Sequence, residues 1–138
     1  VKVCELFKQS EGWYSFFVDF HNYKLCGEQP ELFGRDAPLD LPDMHHIHLA
    51  ASTTIQAIWS RARNPYHRTT PVNQPESDFW LIYAHDHLRD EYLLLTIVGP
   101  DAHNRKEWGS FLRTIAHDIV APWIRGTAVY TDPDDDES

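Results

Sequence analysis

The chain has few cysteines, no long apolar run and too little positive charge, and each shortage narrows what it can be. Two cysteines, Cys4 and Cys26, are too few for a disulfide framework and form no CxxC pair, which suits a reducing cytoplasm. No apolar run approaches the ~18 residues that a membrane span needs. The opening Val1-Lys2-Val3-Cys4-Glu5 lacks the apolar stretch of a signal peptide. A cytoplasmic location and no membrane partner are therefore expected. The P-loop, GxSxG and GxGxxG signatures are absent. Lys and Arg number 12 against 21 Asp and Glu, a formal net charge of −9. That argues against holding nucleic acid through overall charge.

One further absence is local. No acid occurs between Asp43 and Glu76, and that segment carries Arg61, Arg63, Arg68, His45, His46, His48 and His67. An acidic chain thus contains one basic stretch, which suits an anion site that needs positive charge only where a phosphate lies. The opposite extreme is the end of the chain, where 131–138 carries five carboxylates and no base. Like charges repel there and nothing apolar is available to bury, so a disordered acidic tail is expected after a single domain over 1–130.

Apolar periodicity predicts the elements. Residues 2–7 alternate weakly and read as a first strand. Trp13, Phe16, Phe17, Phe20 and Tyr23 recur at three- and four-residue spacing, predicting a helix over 11–26 with Ser10 as N-cap and Gly27 as stop. Two glycines and three prolines make 27–43 mostly loop. Met44–Ala50 alternates as a strand with His46 and His48 on one face. Ile55, Ala57 and Trp59 alternate as a following strand, and 64–77 is loop. Phe79–His85 and Tyr92–Val98 form a hairpin of buried strands. Pro100 and Asp101 open a last helix, with Trp108, Phe111, Leu112, Ile115 and Ile119 as its core face and Pro122 ending it near 120. The order predicts an α+β fold, a small antiparallel sheet flanked by N- and C-terminal helices.

Three polar constellations stand out. His46 and His48, with His85-Asp86-His87, contain imidazoles at the spacing of a metal half-site. The loop Arg61-Ala-Arg-Asn-Pro-Tyr-His-Arg68 pairs cations with Tyr66 and His67, which suits phosphate binding and base stacking. His103 falls where a buried strand gives way to a helix, a rim position suited to general acid or base work.

Several blocks together carry a family resemblance. Tyr23-Lys24, Pro30-Glu-Leu-Phe-Gly-Arg-Asp-Ala37 and His46-Ile-His-Leu-Ala50 are followed by Arg68-Thr69, Leu81-Ile-Tyr83, Leu93-Leu-Leu-Thr-Ile-Val98 and Pro100-Asp-Ala-His103. In this order they resemble the YafO family of type II toxin–antitoxin toxins over roughly residues 15–120. The FGRDA and HIHLA blocks are the specific part. The resemblance implies a RelE-like fold and a ribosome-dependent mRNA interferase, an endoribonuclease that cuts mRNA in the ribosomal A site. It also implies a cognate antitoxin, with the ribosome and mRNA as the other partners.

Cutting RNA without a metal needs a base for the 2′-OH, an acid for the leaving 5′-oxygen and a cation for the phosphorane. On that basis His48 and His103 are the acid–base pair, Arg68 the phosphorane cation, and Tyr83 a substrate-orienting group or proton donor. His46, Arg61, Arg63 and His67 are the expected RNA-binding residues. Arg35 and Asp36 are expected to pair in a structural turn. No metal or other cofactor is expected. The alternatives are a metal-dependent hydrolase using His46, His48 and one or both of His85 and His87, or a non-enzymatic binding module acting through the acidic tail.

Overall fold

The computed structural model describes residues 1–134. Among these, five strands form one sheet in the order β1-β5-β4-β3-β2. The strands are β1 (Lys2–Val3), β2 (Phe33–Pro38), β3 (Met44–Ala50), β4 (Asp78–Asp86) and β5 (Glu91–Val98). The helices are α1 (Trp13–Leu25), α2 (Thr53–Trp59), α3 (Arg105–Ile115) and α4 (Ala121–Arg125). The fold is α+β. β2 to β5 pair antiparallel with their neighbours, whereas β1 joins β5 in parallel, so the sheet is mixed. No helix among the described residues is long and apolar enough to cross a membrane.

The two faces of the sheet follow from strand alternation. His48 lies opposite Trp80 and His46 opposite Ile82, so these four side chains share one face with Asp78. Leu49, Ile47, Phe79 and Leu81 point the other way. α1 covers that second face, where Phe20 packs edge-on against Tyr83 with ring centroids 4.9 Å apart. The C-terminal helix lies over the first face, where Leu112 and Ile115 are buried.

Several local expectations are corrected. The stretch 27–43 holds a strand, β2, because Phe33 is fully buried opposite Leu49 and the FGRDAP run is extended between its prolines. Residues 53–59 are helical. The Ser52 side chain caps Ile55 N–H at 3.2 Å, and only Ile55 and Trp59, four apart, are buried, while Ala57 is exposed. The first strand is shorter than 2–7 and gives way to a 3₁₀ turn at Phe7–Gln9. α1 starts after Gly12 in a left-handed conformation (φ 73°) rather than from a Ser10 side-chain cap. The last helix begins at Asn104, whose Oδ1 accepts from Lys106 and Glu107 N–H. It continues past 120 through a π-helical segment (Ala116–Val120) into α4. Pro122 does not stop it: Val120 and Ala121 before it already have helical backbone, and α4 runs on to Arg125. Phe111 is exposed rather than part of the core face.

The expected tail 131–138 is described only in its first four residues. Thr131 bridges Val3, and the Asp134 carboxylate accepts from the Tyr14 hydroxyl at 2.6 Å. Residues 135–138 lie outside the described residues.

Candidate active site

β4 begins at Asp78, and the chain returns beside it in the loop between β5 and α3. Asp78 backbone C=O accepts from Ala102 N–H at 3.0 Å, and its Oδ2 accepts from His103 N–H at 3.0 Å. Oδ2 also meets His103 Nδ1 at 2.5 Å. The backbone thus delivers His103 to a carboxylate that is 4% exposed, while the His103 side chain stays 57% exposed. With Nδ1 turned to Asp78, Nε2 is the ring nitrogen left for a substrate.

His48 stands next to this pair. Its ring lies 5.5 Å from that of His103 and 5.3 Å from that of His46. Trp80 fills the space between, 4.6 Å from His103 and 4.2 Å from His46. Burial above all pushes His48 down to about 3 and His46 down to about 4. Burial thus favours the uncharged imidazole for both at neutral pH, which disfavours His48 as an imidazolium donor there. Arg35 belongs to the same surroundings, since its charge is among the groups that lower both histidines. Its Nε donates to Tyr66 C=O at 2.7 Å, and the guanidinium lies 4.0 Å from the centre of the half-exposed Tyr66 ring. Beside His103, a cleft of about 370 Å³ runs between Leu39–Leu41 and α3, with Trp80, Trp108 and Arg105 in its walls.

The structure brings His48, His103 and His46 together. It places Tyr83 elsewhere, on the α1 face, where its hydroxyl donates to Asp36 Oδ1 at 2.7 Å. Asp36 Oδ2 also accepts from Tyr23 at 2.9 Å and Lys24 at 2.7 Å. The expected Arg35–Asp36 pair is therefore not formed. The β2–β3 register is irregular between Phe33 and Asp36, and Arg35 reaches Tyr66 while Asp36 takes the tyrosines and Lys24.

Arg68 is engaged by backbone. Nη1 donates to Phe33 C=O at 3.1 Å and Pro30 C=O at 3.4 Å, and its own C=O accepts from Arg35 N–H at 3.0 Å. Gly34 allows this approach, since a Cβ there would stand 2.3 Å from Arg68 C=O. Arg61, Arg63 and His67 are exposed on the loop after α2 and make no ion pair among the described residues.

The metal half-sites suggested by His46, His48, His85 and His87 do not converge. His85 shares a face with Tyr83 and stacks on Tyr92 at 4.4 Å, while His46 and His48 lie on the opposite face. Sequence reasoning missed Asp78 and Arg35. Asp78 precedes a buried strand and reads as a boundary residue; only the β3–β4 register places it beside His48.

Residues 21–123, most of the chain, match the family described as Toxin YafO, type II toxin-antitoxin system. No curated protein and no solved structure matches the chain.

Proposed function

The chain belongs to the YafO family of type II toxin–antitoxin toxins, and on that premise we propose that it is a ribosome-dependent mRNA interferase. The observation that carries the reading is the Asp78–His103 pair, an imidazole held by a buried carboxylate and open on its other side. Membership of the family implies an antitoxin partner; the ribosome and mRNA are partners of the proposed reaction.

In this reading His103 Nε2 takes the proton of a ribose 2′-OH. The 2′-oxygen attacks the adjacent phosphorus, and the bond to the 5′-oxygen breaks. The departing 5′-oxygen receives the proton that His103 has taken. The products are a 2′,3′-cyclic phosphate and a 5′-hydroxyl. Arg35, held on Tyr66 and close enough for its charge to act on His46 and His48, is proposed to balance the phosphorane charge, in place of the inward-turned Arg68. His48, uncharged, packs beside His103 with ring centroids 5.5 Å apart rather than serving as the acid. Tyr66 and Trp108 offer surfaces for base stacking, and the ribosome supplies the binding that a −9 chain lacks toward naked RNA.

The test supplies purified protein to a translating extract and maps the ends of the cut mRNA. Cyclic-phosphate and 5′-hydroxyl ends, lost in His103→Ala, are expected. A 5′-phosphate end, or full cutting by folded His103→Ala, defeats the reading.

A further inference from the structure

Proton transfer through His103 leaves part of this cluster unused. Asp78 gives Oδ2 to His103, while its Oδ1 is buried without a partner among the described residues. His48, 2% exposed, has Nδ1 in the same condition. Leaving such groups unpaired is unfavourable, so an added partner at this place has stabilisation to gain. One donor atom from each of His48, Asp78 and His103 lies within 4.8 Å of the other two.

We propose that His48, Asp78 and His103 form a binding site for a divalent transition-metal ion of the zinc class, and that the ion and the RNA compete for His103. The site itself stands on the geometry; only the competition rests on the proposed nuclease reading.

The donor set selects the ion. Two imidazoles and one carboxylate suit Zn²⁺ and Co²⁺, whereas Mg²⁺ and Ca²⁺ prefer all-oxygen shells. Tetrahedral ligands at about 2.0–2.1 Å stand roughly 3.3 Å apart. The donor atoms lie within 4.8 Å of one another, so they must close by up to about 1.5 Å. His103 can supply that movement, since its side chain is 57% exposed, at the cost of readjusting its Nδ1 contact with Asp78 and its packing on Trp80. Three protein ligands leave the fourth position to water. An ion so held takes the lone pair that His103 would offer to a 2′-OH, so loaded protein cannot abstract the proton.

The test uses the full chain, stripped of metal by chelation and dialysis. Co²⁺ titration is followed by the visible absorption of tetrahedral cobalt, and Zn²⁺ binding by calorimetry. One equivalent is expected to bind. His103→Ala and Asp78→Asn should each weaken binding at least about tenfold with unchanged far-UV circular dichroism. His85→Ala, on the other face, should bind like the wild type. No saturable binding by wild type, or His103→Ala binding as tightly, overturns the site. Cleavage is read separately, with free ion removed. Zn²⁺-loaded protein should cut slower than stripped protein and recover after chelation. Equal rates, or cutting only by the loaded form, overturn the competition. If neither form cuts RNA, the nuclease reading fails while the binding curves still decide the site.

Discussion

On the α1 face of the sheet, Asp36 accepts from Tyr23, Lys24 and Tyr83 at 2.7 to 2.9 Å, and each polar side chain of that group has its partner. On the opposite face His46 Nδ1, His48 Nδ1, Asp78 Oδ1 and Trp80 Nε1 are buried without one among the described residues. A buried polar network that closes on itself rigidifies a core, whereas one left open is a place where an incoming ligand can complete it. On the proposed reading, Tyr83 and Asp36 hold the fold, while His103, Asp78 and Arg35 serve the chemistry. It can be broken by showing that stability and activity respond on the wrong faces.

The largest expected contrast is between two arginines. Arg35→Ala should lower mRNA cutting about 10²-fold, as expected for losing one transition-state charge contact, with little loss of stability. Arg68→Ala should instead destabilise the fold, because it frees the carbonyls of Phe33 and Pro30, while cutting per folded molecule stays within a few-fold. Single-turnover cleavage and urea denaturation of both variants decide it; a catalytic collapse in folded Arg68→Ala with Arg35→Ala unaffected reverses the assignment.

Asp36→Asn sharpens the other side. It removes the carboxylate that holds Lys24 and keeps two tyrosines paired, at a cost of about 2 kcal/mol for weakened charge-assisted bonds in a partly buried group. Cutting by the folded fraction should be unchanged. A stable Asp36→Asn with lost activity would move this cluster into the site.

What the sequence revealed follows the reach of its signals. α1, β3, and the β4–β5 hairpin were legible because Phe17 and Phe20, or Ile47 and Leu49, repeat at the period of their element and are buried. β2 was hidden because a strand only six residues long, FGRDAP, carries one glycine, two charges and a terminal proline. At α2, Ile55, Ala57 and Trp59 alternate by coincidence, whereas burial of Ile55 and Trp59 alone, four residues apart, is the helical pattern. The His46–His48 pairing on one face was readable from alternation alone. The Asp78–His103 contact was not, since 25 residues separate the partners and only sheet register and the return of the chain before α3 join them. Tyr83 showed the converse limit: a conspicuous polar strand residue whose face could not be known without its neighbours.

The two faces should also differ in pH response. His48 and His46 are lowered to about 3 and about 4 in the folded chain from an ordinary 6.5. The unfolded chain therefore takes up protons below about 6.5 that the folded one refuses. Their contribution to stability is full above pH 6.5 and declines as pH falls toward 3, with a slope of at most about 2.7 kcal/mol per pH unit for two protons. On the α1 face, Tyr23 and Tyr83 are raised above 10 by burial and Asp36. Their contribution is present below pH 10 and is lost as pH rises beyond it. Urea unfolding from pH 7 down to 4.5 should show a shallower decline in His48→Gln than in wild type. An identical slope would mean that this histidine charges freely in the folded chain.

The smallest expected effect belongs to the basic loop. Arg61 and Arg63 are exposed, make no ion pair among the described residues, and lie between α2 and the Tyr66 that stacks on Arg35. On the proposed reading they meet phosphates beside the site without touching the reacting one. Such contacts act through released counterions, so each lost contact to a single strand should lower the salt slope of log binding by about 0.7. The double variant Arg61→Ala, Arg63→Ala should raise the apparent KM for programmed ribosomes a few-fold at low salt, leave kcat unchanged, and converge with wild type as salt rises. A rim role for the loop predicts that pattern because screening removes the attraction without disturbing Asp78 and His103. A fall in kcat that persists at high salt would instead place one of these arginines at the reacting phosphate, and the open face of the sheet would then extend into the loop.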